Sequence, residues 1–117
     1  MANTFKLVTK AGITSVDTIY TVASSPSTTT VVLGIMLGNT TTSQVTATVT
    51  LSSNTSNRAG ANNEDNQDVE LITNAPIPVG SSLELLSGNK IVMEATDELK
   101  LTSTGATDIT VSIMEIT

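Results

Sequence analysis

The chain has 117 residues, one Phe, one Tyr, no Trp, no cysteine and no histidine, and a formal net charge of −6. One domain with one core is expected at this length, built from Val, Ile, Leu, Met and Ala without disulfides or thiolate metal ligands. The missing imidazole removes the usual neutral-pH base, most triads and most zinc sites, and five dispersed cations (Lys6, Lys10, Arg58, Lys90, Lys100) under a negative net charge argue against nucleic-acid binding.

Thr4-Phe5-Lys6-Leu7-Val8-Thr9 alternates, which predicts a first strand with Phe5 and Leu7 facing in, Phe5 as its anchor to the core, and Ala11-Gly12 as its end. No positive region followed by an apolar run opens the chain, and no run approaches the ~20 apolar residues of a membrane helix. No signal peptide and no membrane partner are therefore expected, and a cytoplasmic product is the default. A second strand is predicted over 16–22, and a loop over 23–27, where Pro26 removes a ladder donor.

Val31-Val32-Leu33-Gly34-Ile35-Met36-Leu37 shows no alternation, so it reads as a central strand whose two faces both meet protein, of the same chain or of a partner. A helix competes for this run, but seven residues are few, and the Thr28-Thr29-Thr30 lead and two glycines disfavour it. Gly34 and Gly38 are read as points of close backbone packing rather than as a phosphate loop.

Gln44 to Leu51 gives the cleanest alternation, with Val45, Ala47, Val49 and Leu51 on the core side and Gln44, Thr46, Thr48 and Thr50 on the wet side. Ser52 to Gln67 holds almost nothing to bury and reads as a mobile loop or a functional excursion. Asn62, Glu64, Asn66 and Asp68 could offer oxygens to Ca²⁺, but they lack the spacing of a calcium loop, so a solvated segment is the plainer reading and no metal or cofactor is expected. Asp68 to Ile72 resumes a strand, and Asn74 to Gly80, with Pro76 and Pro78, reads as an extended corner at a sheet edge.

Further strands are predicted over 81–86, 91–93, 99–103 and 109–116. Glu94, Asp97 and Glu98 read as a charged surface corner, with a carboxylate paired to Lys100 or Lys90. In the last strand Ile109, Val111 and Ile113 share one face, and the apolar phase then switches to Met114 and Ile116, which implies a bulge or a covered second face. Asn39-Thr40-Thr41 and Asn54-Thr55-Ser56 fit the glycosylation pattern, which a chain in which about a fifth of the residues are Thr also produces by chance.

Short strands at intervals near ten residues, with no convincing helix, predict an all-β, single-domain antiparallel β-sandwich or jelly roll of about eight strands over 1–117, with a closed barrel as the runner-up. Val45, Val49, Leu51, Leu85, Leu99, Leu101, Val111 and Ile113 form its predicted core.

The segment Asn74-Ala75-Pro76-Ile77-Pro78-Val79-Gly80 through Leu85-Leu86-Ser87-Gly88-Asn89-Lys90-Ile91-Val92-Met93-Glu94, followed by Asp97-Glu98-Leu99-Lys100-Leu101, resembles small virion structural proteins of tailed phages. The likeness is closest to those of contractile-tailed phages of marine cyanobacteria. It extends to Ile19-Tyr20-Thr21-Val22, to Thr29-Thr30-Val31-Val32-Leu33-Gly34 and to the Ser112-to-Thr117 ending, and it is weakest over Ser52 to Gln67.

The resemblance implies a non-enzymatic bacteriophage protein, made in the host cytoplasm and ending in the virion, with phage capsid or tail proteins as partners. A capsid decoration or cementing subunit is the leading expectation. A tail, neck or baseplate component stands second, and a carbohydrate-binding attachment module is the alternative from another class, though sugar sites usually need aromatic platforms. The residues themselves point to assembly, because the out-of-phase apolar positions need a second covering. A homo-oligomer is expected, with Leu33, Ile35, Leu37, Met114 and Ile116 as the candidate interface.

Overall fold

The computed structural model describes residues 2–54, 67–86 and 89–117. Among them run nine strands: β1 (Asn3–Ile13), β2 (Val16–Thr21), β3 (Thr29–Asn39), β4 (Val45–Ser53), β5 (Gln67–Ile77), β6 (Ser82–Leu85), β7 (Ile91–Met93), β8 (Glu98–Ser103) and β9 (Thr107–Ile116). They form two antiparallel sheets. The five-stranded sheet has the order β1-β9-β3-β6, with β7 also pairing β3, and the four-stranded sheet has the order β2-β8-β4-β5. The last two strands insert between early ones, β9 between β1 and β3 and β8 between β2 and β4. This is the interleaving of a jelly roll, and the two sheets remain separate rather than closing into a barrel.

The inner faces bury alternate residues of each strand: Val32, Ile35 and Leu37 from β3, Ile109, Val111 and Ile113 from β9, Val45, Ala47, Val49 and Leu51 from β4, and Leu99 and Leu101 from β8. Of the eight core positions expected from the sequence, seven are buried and Leu85 is half-buried against the cluster. Leu71 and Ile72, neighbours of like character, both lean on the core because the β4–β5 register slips between Val49 and Thr50. Leu86 turns toward the same cluster from a left-handed backbone, φ 60°. The segment from Asn74 to Ile77 is not a separate corner but the end of the edge strand β5, bent where Asn74 takes φ 48° and its amide donates to the Thr48 hydroxyl at 2.9 Å.

Buried polar groups hold the connections. Asn39 is a knot: its amide nitrogen donates to the carbonyls of Ser43, Ile77 and Pro78, and its oxygen accepts from the amide and the hydroxyl of Thr41. A side chain so engaged is a turn anchor rather than a sugar acceptor. The Glu94–Glu98 corner differs from the expected charged surface. Asp97 is fully buried, its carboxylate accepting from the amides of Asn54 (2.9 Å) and Glu94 (3.0 Å), while Lys100 pairs with Glu98 at 3.6 Å. Taking two backbone donors explains why a carboxylate is tolerated there. At the β8–β9 turn a Cβ on Gly105 would stand 2.7 Å from Cγ1 of buried Val45, so only glycine fits without displacement.

Candidate functional site

β1, expected to turn Phe5 and Leu7 inward, and β3, expected to be covered on both faces, are where structure and expectation part. β1 pairs β9 without a break from Asn3 to Lys10, which sets Phe5 opposite Met114 and Leu7 opposite Ser112. Ile113 and Val111 occupy the inner face of β9, so Phe5 and Leu7 lie on the outer face and are 72% and 63% exposed. The alternation was legible, but its sense is reversed. Lys6 and Lys10 take the inner side of this edge strand, where Lys6 pairs with Glu115 (2.7 Å) and Lys10 with Asp17 (3.4 Å), reaching past the core to the sheet margin. Nor does β1 end at Ala11-Gly12: the register shifts there, with Gly12 at φ 67°, and the strand continues to buried Ile13.

β3 is central in its sheet, as expected, but only one of its faces is covered. Val32 pairs Ile113 and Gly34 pairs Ser112, so Leu33 is an extra residue in a bulge. Of the five candidate interface residues, Ile35 and Leu37 are thereby taken out, because at 2% and 0% exposure they belong to the chain's own core. Leu33, Met114 and Ile116 are half-buried, the last two on the outer face. No bulge interrupts β9, so the phase switch in its sequence marks a strand with apolar groups on both faces.

In-register pairing then assembles an outer-face row that no single strand announces: Phe5 beside Met114, Met114 beside Val31, and Val31 beside Val92. Leu7 stands one row away, beside Ser112, and Met36 two rows away on the same side, beside Thr110. Among the described residues, four of the seven large apolar side chains that stand exposed, Phe5, Leu7, Met36 and Val92, lie on this one face. The two glycines of β3 share it. Apart from the glycine and its two chain neighbours, no atom of the described residues lies within 4 Å of where a Cβ would stand on Gly34 or Gly38, so they do not serve close packing among those residues but leave the face open. Between the two strands that pair β3 in succession, β7 and β6, the Leu33 bulge and Gly34 floor a cleft of about 350 Å³ walled by Met36, Leu85 and Leu86 and rimmed by Glu84, Thr110 and Ser112.

Polar groups at the sheet margin close on one another. The Tyr20 hydroxyl donates to Glu115 (2.5 Å) and lies 2.7 Å from the hydroxyl of fully buried Thr30, tying the two sheets together. Burial first, then the hydrogen bond to Glu115, pushes the Tyr20 phenol up to about 12, and Lys6 first, then Tyr20, holds the Glu115 carboxyl below its ordinary value. The Ser103 hydroxyl, 2.6 Å from that of Thr107, is likewise engaged. Among the described residues no three acidic side chains converge as metal ligands. Of the oxygens weighed for Ca²⁺, Asp68 accepts from Ser52 at 2.7 Å, and Asn62, Glu64 and Asn66 lie outside the described residues.

No family model and no curated protein matches the chain. Among solved structures, a Bacillus endospore appendage, described as one of a family of disulfide-linked pili, is similar at 14% identity and a TM-score of 0.48, over 99% of this chain and 87% of that one. A mutant VP2 protein of infectious bursal disease virus, in derived particles, is similar at 12% identity and a TM-score of 0.25, over 97% of this chain and 35% of that one. Likenesses this distant do not bear on what the chain does.

Proposed function

We propose that this is a non-enzymatic structural protein of a tailed-phage virion, made in the host cytoplasm and incorporated in many copies as a capsid decoration or cementing subunit. One observation carries the assembly half of this reading: the outer face of the five-stranded sheet gathers Phe5, Leu7, Met36 and Val92 in the open, with Val31 and Met114 between them. Apolar groups gathered on one face, rather than scattered singly, mark a surface that is covered in use. The virion half rests on the sequence resemblance from Asn74 to Leu101, and the jelly roll, an architecture that capsid and lectin domains share, supports it by analogy alone.

A tail, neck or baseplate position uses the same face and is the second reading within the class. A carbohydrate module finds less support, because Tyr20 is half-buried with its hydroxyl committed to Thr30 and Glu115, which leaves Phe5 as the one free aromatic platform. The test is addition of the purified chain to phage particles from which it has been deleted. Saturable binding to the head, with a raised temperature of genome release, is expected, and Met114→Asp should abolish it. Binding to tails alone moves the protein to the second reading. No binding to any part of the particle overturns the proposal.

A further inference from the structure

The apolar face carries both a projection and a recess. Phe5, 72% exposed, is the largest exposed apolar side chain, and it stands on β1. The cleft over Leu33 and Gly34 lies two strands away on the same face, displaced by one or two rows along the strands, so about 10 Å separates them across the sheet. At about 350 Å³ the cleft has ample room for a ring, since a cavity of ~150 Å³ already admits benzene. Its open floor comes from a glycine that packing within the chain does not require.

We propose that the occupant of this face is a second copy of the chain, seated about a two-fold axis so that Phe5 of each copy enters the Leu33–Gly34 cleft of the other. Projection and recess on one face are self-complementary when the axis lies in the plane of that face midway between them, and such a contact closes as a dimer instead of propagating.

The centre of the contact is free of charge, because Lys6 and Lys10 turn to the inner side of β1 and Glu84 lies at the rim of the cleft. The area suffices as well. Four strands about 4.8 Å apart and about seven residues of length make roughly 450 Å² of flat sheet per copy, and side-chain relief raises the pair above the ~1,000 Å² that a specific contact needs.

This inference rests on the reading of the face as an assembly surface, and the experiment separates the two. Sedimentation of the purified chain over a wide concentration range should show a dimer. Phe5→Asp should weaken it at least tenfold, and Phe5→Leu should retain it. Because the chain has no cysteine, Phe5→Cys combined with Met36→Cys should oxidise to a covalent dimer, while each single variant, and Met36→Cys combined with Val16→Cys on the opposite sheet, should not. A wild-type monomer at millimolar concentration, a dimer indifferent to Phe5→Asp, or cross-linking that ignores position overturns the inference. If the chain is monomeric yet binds deleted particles through Met114, the second copy is wrong and the virion reading stands. If it dimerises as described and never joins a particle, the virion reading falls alone.

Discussion

The outer faces of the two sheets are built from similar strands and end in opposite chemistry. On the four-stranded sheet, β4 turns Thr46, Thr48, Thr50 and Ser52 outward, and their partners are Thr102, Lys100 and Glu98 on β8 and Pro76, Glu70 and Asp68 on β5. On the five-stranded sheet the corresponding row reads Phe5, Met114, Val31 and Val92. Both inner faces are equally dry. Folding requires only one covered face per sheet, so the apolar outer row is not needed to close the core, and it is the surface on which the proposed assembly rests.

The largest effects lie beneath the faces, where the two sheets should behave alike. Leu101→Ala on the four-stranded sheet and Leu37→Ala on the five-stranded sheet, both fully buried, should each cost ~2–5 kcal/mol in denaturant unfolding, enough to consume much of a small domain's stability. A cost for Leu37→Ala well below that range would mean that its side chain is not core and would break the comparison at its root. Next comes Asp97→Ala at the end of the sandwich, which strips an acceptor from the Asn54 and Glu94 amides and should cost about 1–3 kcal/mol for each orphaned donor in the same measurement.

The margin where the sheets meet should titrate. Glu115 is held below its ordinary value of 4.5, so its contribution to stability is complete above that pH and is lost as the pH falls through the depressed value in the fold. Denaturation midpoints measured from pH 7 down to pH 3 should fall below about pH 4.5 more steeply for the wild type than for Glu115→Gln. At the other end of the scale, Tyr20 is raised from 10 to about 12, so its share is intact below pH 10 and is lost as the pH rises toward 12. As the only tyrosine in a chain without Trp, it can be followed alone by its phenolate absorbance, whose midpoint should stand near 12 and drop in Glu115→Gln.

The smallest effect on the monomer is the sharpest on the comparison. Met36→Asp on the apolar face and Thr102→Asp on the polar face replace solvent-facing groups and should both leave monomer unfolding within about 0.5 kcal/mol of the wild type. Only Met36→Asp should alter sedimentation. Equal behaviour in that assay would erase the distinction between the faces.

Residue pattern alone makes the chain a stack of short antiparallel strands, because period-two alternation in β4 and β9, β-branched residues and turn signals near every tenth residue all agree. It also located most of the core, since Val45, Val49 and Leu51 have no polar competitor on their phase. Part of the apolar face was legible too, in the switch from Ile113 to Met114 and Ile116. Alternation, however, says which residues share a face and not which face turns inward. That sense was decided for β1 by its register with β9, which gives the inner side to Lys6 and Lys10 at a margin where they can reach Glu115 and Asp17, and turns Phe5 out. The same pairing, with the bulge at Leu33, put Ile35 and Leu37 in the core and opened the cleft beside them. Because the apolar row crosses four strands distant in sequence and contributes one residue from each, it exists only once the jelly roll has brought them together.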